Sequence, residues 1–150
     1  MNDVRSDSAE LSGQEIEALK MTQDVIKRMA DNSAKTKTIF IGLTVAIVTL
    51  SKVEPTQQTL MAWVVYAVLT FVLWFTDAKY LRLERLFRKH HQAIVNGSIS
   101  SLDRWRMDVS RYKVEALLSI MLTNFTMMMY FVAELIAIVA IVIVLYHLPA

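Results

Sequence analysis

Apolar residues are concentrated in three blocks, and polar residues fill the stretches between them. The blocks cover residues 38–51, 59–76 and 125–148. An apolar run of roughly 18 residues or more with few charges predicts a transmembrane helix. The third block passes this length easily, and the second just reaches it. The first block, about 14 residues or ~21 Å as a helix, predicts either a short span or a re-entrant segment.

The polar stretches beside the blocks carry helix boundaries. Ser12 followed by Glu15 is a capping-box pattern, which predicts a helix that begins there and enters the first block. No Gly or Pro follows the second block until Gly97, so its helix is predicted to continue into water. The connection at 51–58 contains Pro55 and predicts a tight turn, which makes the first two spans an antiparallel hairpin.

The sequence NGSISS at 96–101 ends this continuation. Ser100 and Asp103 predict a new helix cap, and a single long helix over 102–147, without Gly or Pro, is the simplest interpretation. The polar stretches are too short to form a core of their own. The predicted fold class is therefore all-α: one integral membrane domain of three transmembrane helices with helical cytoplasmic extensions at 1–37 and 77–124.

The basic residues predict the orientation of these spans. Fifteen of the 16 Lys and Arg residues precede the first block or lie between the second and third, and only Lys52 lies in the 51–58 connection. Because basic residues accumulate on the cytoplasmic side, we expect the N-terminus in the cytoplasm and the C-terminus outside. The polar N-terminal stretch does not have the pattern of a cleaved signal.

Composition narrows the class further. Apolar residues make up 55% of the chain, above the ~45–50% of a soluble domain. The chain has no Cys, which excludes disulfides, zinc–thiolate sites and Cys nucleophiles. This composition is typical of a multi-pass protein of the bacterial inner (cell) membrane.

Catalytic motifs are absent from the sequence. It contains no HExxH, no Gly-rich phosphate loop and no G-x-S-x-G. His90 and His91 are adjacent and point to different sides of a helix, His91 toward the apolar one, so that they cannot bind one metal together. We therefore expect no enzyme activity, no metal and no cofactor.

A basic face is predicted on the helix that follows the second block. It consists of Lys79, Arg82, Arg85 and Lys89. Its first interpretation is contact with anionic headgroups of the lipid bilayer. The alternative is a docking surface for a cytoplasmic protein or an anionic ligand. No aromatic residues alternate with these cations, so specific nucleic-acid binding is not expected.

A stripe of small or hydroxyl-bearing residues runs along the first block. Thr38, Gly42, Val45 and Thr49 are spaced by four, three and four residues. Such a stripe is typical of close helix packing, and lining of a pore is the alternative.

Glu134 is the only charge in the third block. A carboxylate there costs several kcal/mol unless it is protonated, paired or hydrated, so it should face the bundle interior. Tyr130 shares its stripe, and equal depth in the other spans predicts Tyr66 and Thr44 as its polar neighbours. Ala133 and Ala137 beside it predict close approach of a second copy. Glu134 then either holds helices together as a protonated acid or forms a pore, gate or proton-linked site. A chance placement toward lipid is the remaining alternative.

Two stretches carry a resemblance. MTQDVIKRMADNS at 21–33 and WFTDAKYLRLERLFRKHH at 74–91 resemble a QDVIxRMxxNS helix and a DAxYLRxERLFR helix of a group of small uncharacterised bacterial multi-pass membrane proteins. The likeness covers about a fifth of the chain. It implies topology and a bacterial source, and no activity.

Two hypotheses about function follow. The first is a homo-oligomeric channel or membrane-perturbing effector, with Glu134, Tyr130 and the Thr38–Thr49 stripe near its axis. The second is a non-conducting scaffold or regulatory subunit that docks a partner through its basic cytoplasmic helices. Membrane current distinguishes the two.

Overall fold

The computed structural model describes residues 12–50 and 56–147, which form five α-helices and no strand. Helices α1 (Gly13–Leu50) and α2 (Gln57–Val95) are continuous and antiparallel, each about 60 Å long at ~1.5 Å per residue. Helices α3 (Ser101–Arg106) and α4 (Leu117–Thr123) are short, and α5 (Phe125–His147) packs along α2. The predicted all-α class is confirmed, as is the continuation of the second span to Val95.

Local sequence determines where these helices begin and end. The Ser12 amide donates to Glu15 Oε2 (2.8 Å) and the Glu15 amide donates to Ser12 Oγ (3.3 Å), which is the predicted capping box. Gly97, with φ +63°, lies just beyond α2, where a left-handed residue closes the last helical turn. The Ser100 hydroxyl then accepts from the Asp103 amide to start α3. The predicted turn around Pro55 lies outside the described residues.

The single long helix predicted over 102–147 is wrong. Helix α3 ends because Met107 has a left-handed φ of 50°, and residues 107–116 are not helical. A second break occurs at Asn124, whose side-chain oxygen accepts from the amide (3.0 Å) and the hydroxyl (2.7 Å) of Thr126. Asn side chains compete with helical hydrogen bonds in this way, and here the result is the N-terminal cap of α5.

The three long helices enclose an apolar core and present an apolar exterior. The core includes Phe40, Ile47, Trp63, Trp74, Met127 and Val144. The outer faces of the same segments expose large apolar side chains, such as Ile41, Val68 and Ile138. An exterior of this kind is typical of contact with lipid. In the part of the chain that the structure describes, three helices are long and apolar enough to cross a membrane, as predicted, which indicates a helical membrane protein.

Candidate functional site

Asp77 of α2 is completely buried where the three long helices meet. Its Oδ2 lies 2.7 Å from Lys37 Nζ on α1 and accepts from the Tyr130 hydroxyl on α5 at 3.2 Å. Its Oδ1 accepts from the Ser33 hydroxyl (2.5 Å) and from Lys37 Nζ (3.0 Å). One carboxylate therefore joins all three spans, and we call these four residues the Asp77 cluster.

Helical spacing brings the Asp77 cluster together. Ser33 and Lys37 are four residues apart, so they share one face of α1, and Lys37 Nζ also donates to Ser33 Oγ at 2.6 Å. Tyr130 stacks at a tilt against Phe40, with ring centroids 4.5 Å apart. These rings cover the cluster on the side of the apolar core, while the Lys37 side chain remains 26% exposed. The ion pair thus lies at the edge of the apolar zone.

Of the Asp77 cluster, only Tyr130 is a site residue predicted from the sequence; Ser33, Lys37 and Asp77 are not. Lys37 and Asp77 flank the first two apolar blocks, and such charges are normally placed in water. The spacing of Tyr66, Thr70, Trp74 and Asp77, which puts them on one helical face, was the signal that could have found the carboxylate. All four are buried.

A second polar contact lies deeper between α1 and α2. The Tyr66 hydroxyl is 3.0 Å from Thr44 Oγ1. The Thr44 hydroxyl donates its proton to the Phe40 carbonyl (2.9 Å), so Tyr66 is the donor to Thr44. Two of the predicted intramembrane polar residues are therefore brought together.

Among the described residues, Glu134 has no such partner. It is half-buried on α5, and its Oε1 is buried without a hydrogen bond. The expected contact with Tyr66 is not a hydrogen bond, because the helix register differs from the one assumed. The Asp77–Tyr130 contact fixes the register of α5 against α2. In this register Glu134 is displaced from Tyr66 along the helix axis by about one and a half to two turns, or roughly 9 Å.

The two stripes predicted to meet at one axis face in different directions. Ala133 and Ala137 are 7% and 0% exposed, packed in the protomer's own core, which corrects their assignment to contact with a second copy. Tyr130 also faces inward. The stripe of Thr38, Gly42, Val45 and Thr49 is exposed along its whole length, and the Thr38 and Thr49 hydroxyls donate to carbonyls of their own helix. Glu134, Tyr130 and this stripe therefore cannot all line one pore axis.

The four residues of the predicted basic face have two different environments. Lys79 and Arg82 are exposed, and the Lys79 ammonium lies 4.6 Å from the centroid of the Phe75 ring. Arg85 pairs with Glu115 at 3.1 Å, and Lys89 Nζ donates to the Lys113 carbonyl. Half of the face therefore anchors the chain just before α4, and half is presented at the boundary of the apolar zone.

His90 is the buried histidine of the adjacent pair, at 1% exposure. Its Nδ1 is 3.2 Å from the Tyr112 hydroxyl, and its Nε2 is buried without a hydrogen bond. His91 is half-buried instead, and its ring lies 3.4 Å from the Gln23 amide, which corrects its placement on the apolar side. His90 thus packs the segment 107–116 against α2.

We expect this packing to loosen below about pH 6.5. Burial lowers the pKa of His90. The nearby backbone of Arg104 opposes this shift, as do Asp103 and Asp108, whereas the charge of Arg111 acts in the same direction as burial. Because the folded pKa is below the unfolded one, the stabilisation is complete above ~6.5 and is lost as the pH falls further. Hydrogen exchange of residues 107–116, corrected for intrinsic rates, measures this loss. The pH dependence should disappear in His90→Gln and persist in His91→Gln; equal profiles in both variants contradict the assignment.

Taken together, the groups between the spans can hold helices together and can exchange protons. No cluster of three His, Asp or Glu residues suited to a metal ion occurs within 12–50 and 56–147. Comparison with family models, curated proteins and solved structures finds no match to this chain.

Proposed function

We propose that this chain is a homo-oligomeric, non-enzymatic effector of the bacterial inner membrane that makes the membrane conductive, with Glu134 as the group on which conduction depends. One observation carries the proposal. Among the described residues, the Asp77 carboxylate is paired with Lys37 and Tyr130, whereas the buried oxygen Oε1 of Glu134 has no partner. A carboxylate in a membrane span costs several kcal/mol, and cohesion of the bundle does not account for it.

The proposed orientation has the N-terminus in the cytoplasm and the C-terminus outside. The distribution of basic residues supports it. A periplasm-active reporter should be inactive when fused at Asn96 and active at the C-terminus, and the reverse result would overturn the orientation.

The proposed assembly uses the outer face of α1. Its stripe of Thr38, Gly42, Val45 and Thr49 is exposed, and a Cβ built on Gly42 meets nothing within 4 Å. Small residues of this kind permit close approach of a second helix in lipid. Gly42→Phe should lower the mass of the complex in mild detergent, whereas Val48→Phe on the same helix should leave it unchanged.

A second candidate function, a non-conducting scaffold or regulatory subunit, is favoured by a different observation. Helices α1 and α2 continue without a break beyond the membrane segments, so that the helical hairpin extends into water. An ion pair between Arg104 and Glu15 (2.9 Å) attaches α3 to this extension. A rigid hairpin with exposed Lys79 and Arg82 could dock a cytoplasmic partner or an anionic ligand. This candidate predicts no change in membrane permeability.

Membrane potential in bacterial cells distinguishes the two candidates. Induced expression of the wild-type chain should collapse the signal of a potential-sensitive dye. Glu134→Gln, at the same membrane level, should leave the potential intact. Glu17→Gln makes the same change at an exposed carboxylate and should act as wild type. An intact potential with all three chains would favour the scaffold.

A further inference from the structure

Within the described parts of the membrane segments, three polar side-chain atoms are buried without a hydrogen-bond partner. They are Thr70 Oγ1 and Trp74 Nε1 on α2, and Glu134 Oε1 on α5. Thr70 is 0% and Trp74 7% exposed. Buried polar groups almost always have a partner, and a bound water often supplies it when protein does not.

The register of α2 and α5 places these atoms at a similar depth. Asp77 contacts Tyr130, and the Trp74 ring lies 6.2 Å from that of Phe131. One turn beyond these contacts, the antiparallel helices present Thr70 and Glu134. Trp74 and Thr70 are four residues apart on one face of α2, and Glu134 is one turn from Tyr130 on α5. Polar groups of two packed helices thus lie at a similar depth.

The chemistry of the three groups identifies what binds between them. The indole N–H of Trp74 only donates hydrogen bonds, so it is unsuited to a metal cation. The Glu134 carboxyl disfavours an anion. Water can accept from Trp74 Nε1 while it donates to Glu134 Oε1 and Thr70 Oγ1. Buried waters typically make about three hydrogen bonds of this kind.

We propose that water binds between Thr70, Trp74 and Glu134. We further propose that the conducted ion is the proton, which this water carries to and from the Glu134 carboxylate. The second part rests on the proposed function. A hydronium delivered along the water gives its proton to the Glu134 carboxylate, which leaves water and a carboxylic acid; release reverses the step. No other reactant is needed.

The neighbouring charged and titratable groups are paired with other residues and do not take part in the proton exchange of Glu134. The described titratable groups on the neighbouring turns are Lys37 of α1, Asp77 and Tyr66 of α2, and Tyr130 of α5. The charges of Lys37 and Asp77 cancel in their ion pair. The Tyr66 and Tyr130 hydroxyls donate to Thr44 and Asp77. Of these described titratable groups, Glu134 is therefore the one whose buried oxygen has no protein partner.

Infrared spectroscopy of the full chain in lipid tests the water site without reference to conduction. The carboxylic-acid C=O band of Glu134 is the band lost in Glu134→Gln and kept in Glu17→Gln. We expect this band to shift in D₂O and to shift again in Trp74→Phe, which removes the donor to the water. Thr70→Val preserves shape and should also move the band, so the test survives if Trp74→Phe does not fold. A band that is unchanged in D₂O and in both variants would overturn the proposal.

Selectivity of flux separates this inference from the proposed function. Vesicles that contain the purified chain should dissipate a proton gradient much faster than a potassium gradient. Equal dissipation of both gradients would preserve the conducting function and overturn the proton assignment. Vesicles tight to both ions would remove the conducting function, and the infrared bands would still decide the water site.

Discussion

Asp77→Asn is expected to lower the free energy of unfolding by about 3 kcal/mol. The amide keeps the shape of the side chain but removes the negative charge that pairs with Lys37 Nζ at 2.7 Å. Removal of one partner of a buried ion pair leaves the other charge uncompensated, which costs about 3–5 kcal/mol. We take the low end because the Lys37 side chain is 26% exposed and can turn toward water. Unfolding in a graded detergent mixture, followed by circular dichroism, measures the change.

Two further variants control this experiment. Asp24→Asn makes the same change at an exposed carboxylate of α1 and should leave stability within about 0.5 kcal/mol of wild type. Lys37→Met combined with Asp77→Leu replaces the pair by apolar groups, which is often neutral or stabilising, so it should recover most of the loss. A single variant as stable as wild type would show that Asp77 does not join the spans.

Ala137→Phe is expected to reduce stability by about 2 kcal/mol or more, because extra volume in a packed core forces its neighbours from their positions. Ala137 is 0% exposed and belongs to the core cluster. Ile138→Phe enlarges the next residue, which is 54% exposed to the apolar exterior, and should be tolerated. The same unfolding experiment compares the two variants.

The effect of Ala137→Phe also distinguishes packing within a protomer from packing between copies. Contact with a second copy, which the sequence suggests, predicts a lower mass of the complex at unchanged protomer stability. Burial within the protomer predicts instead that the stability of the protomer itself is lowered. A stable Ala137→Phe protomer with a lower mass would contradict the arrangement of α5 against α2.

The helices could be predicted because their signals are local. Ser12 with Glu15, Ser100 with Asp103, and the apolar blocks each depend on a few neighbouring residues, and the structure confirms them. The breaks at Met107 and Asn124 were missed because neither contains Gly or Pro. They depend on side-chain hydrogen bonds by Asp108 and Asn124 that compete with the helix.

The site was harder to predict because it depends on how helices align. An inward Glu134 follows from the cost of a carboxylate in lipid, but its neighbours depend on the register of α5 against α2. Counting depth from the ends of the spans led to Tyr66. The contact between Asp77 and Tyr130 shifts that register, and the partner of Tyr66 is Thr44. Periodicity identifies which face of a helix is inward, but it contains no information on the register between two helices.

The most direct test of the account is ion flux through sealed vesicles that contain the purified chain. We predict that wild-type protein dissipates an imposed proton gradient, that Glu134→Gln leaves it intact at the same protein content and oligomer mass, and that Glu17→Gln behaves as wild type. Dissipation by Glu134→Gln at the wild-type rate, or vesicles that remain tight with the wild-type chain, would contradict the central claim that Glu134 supports conduction.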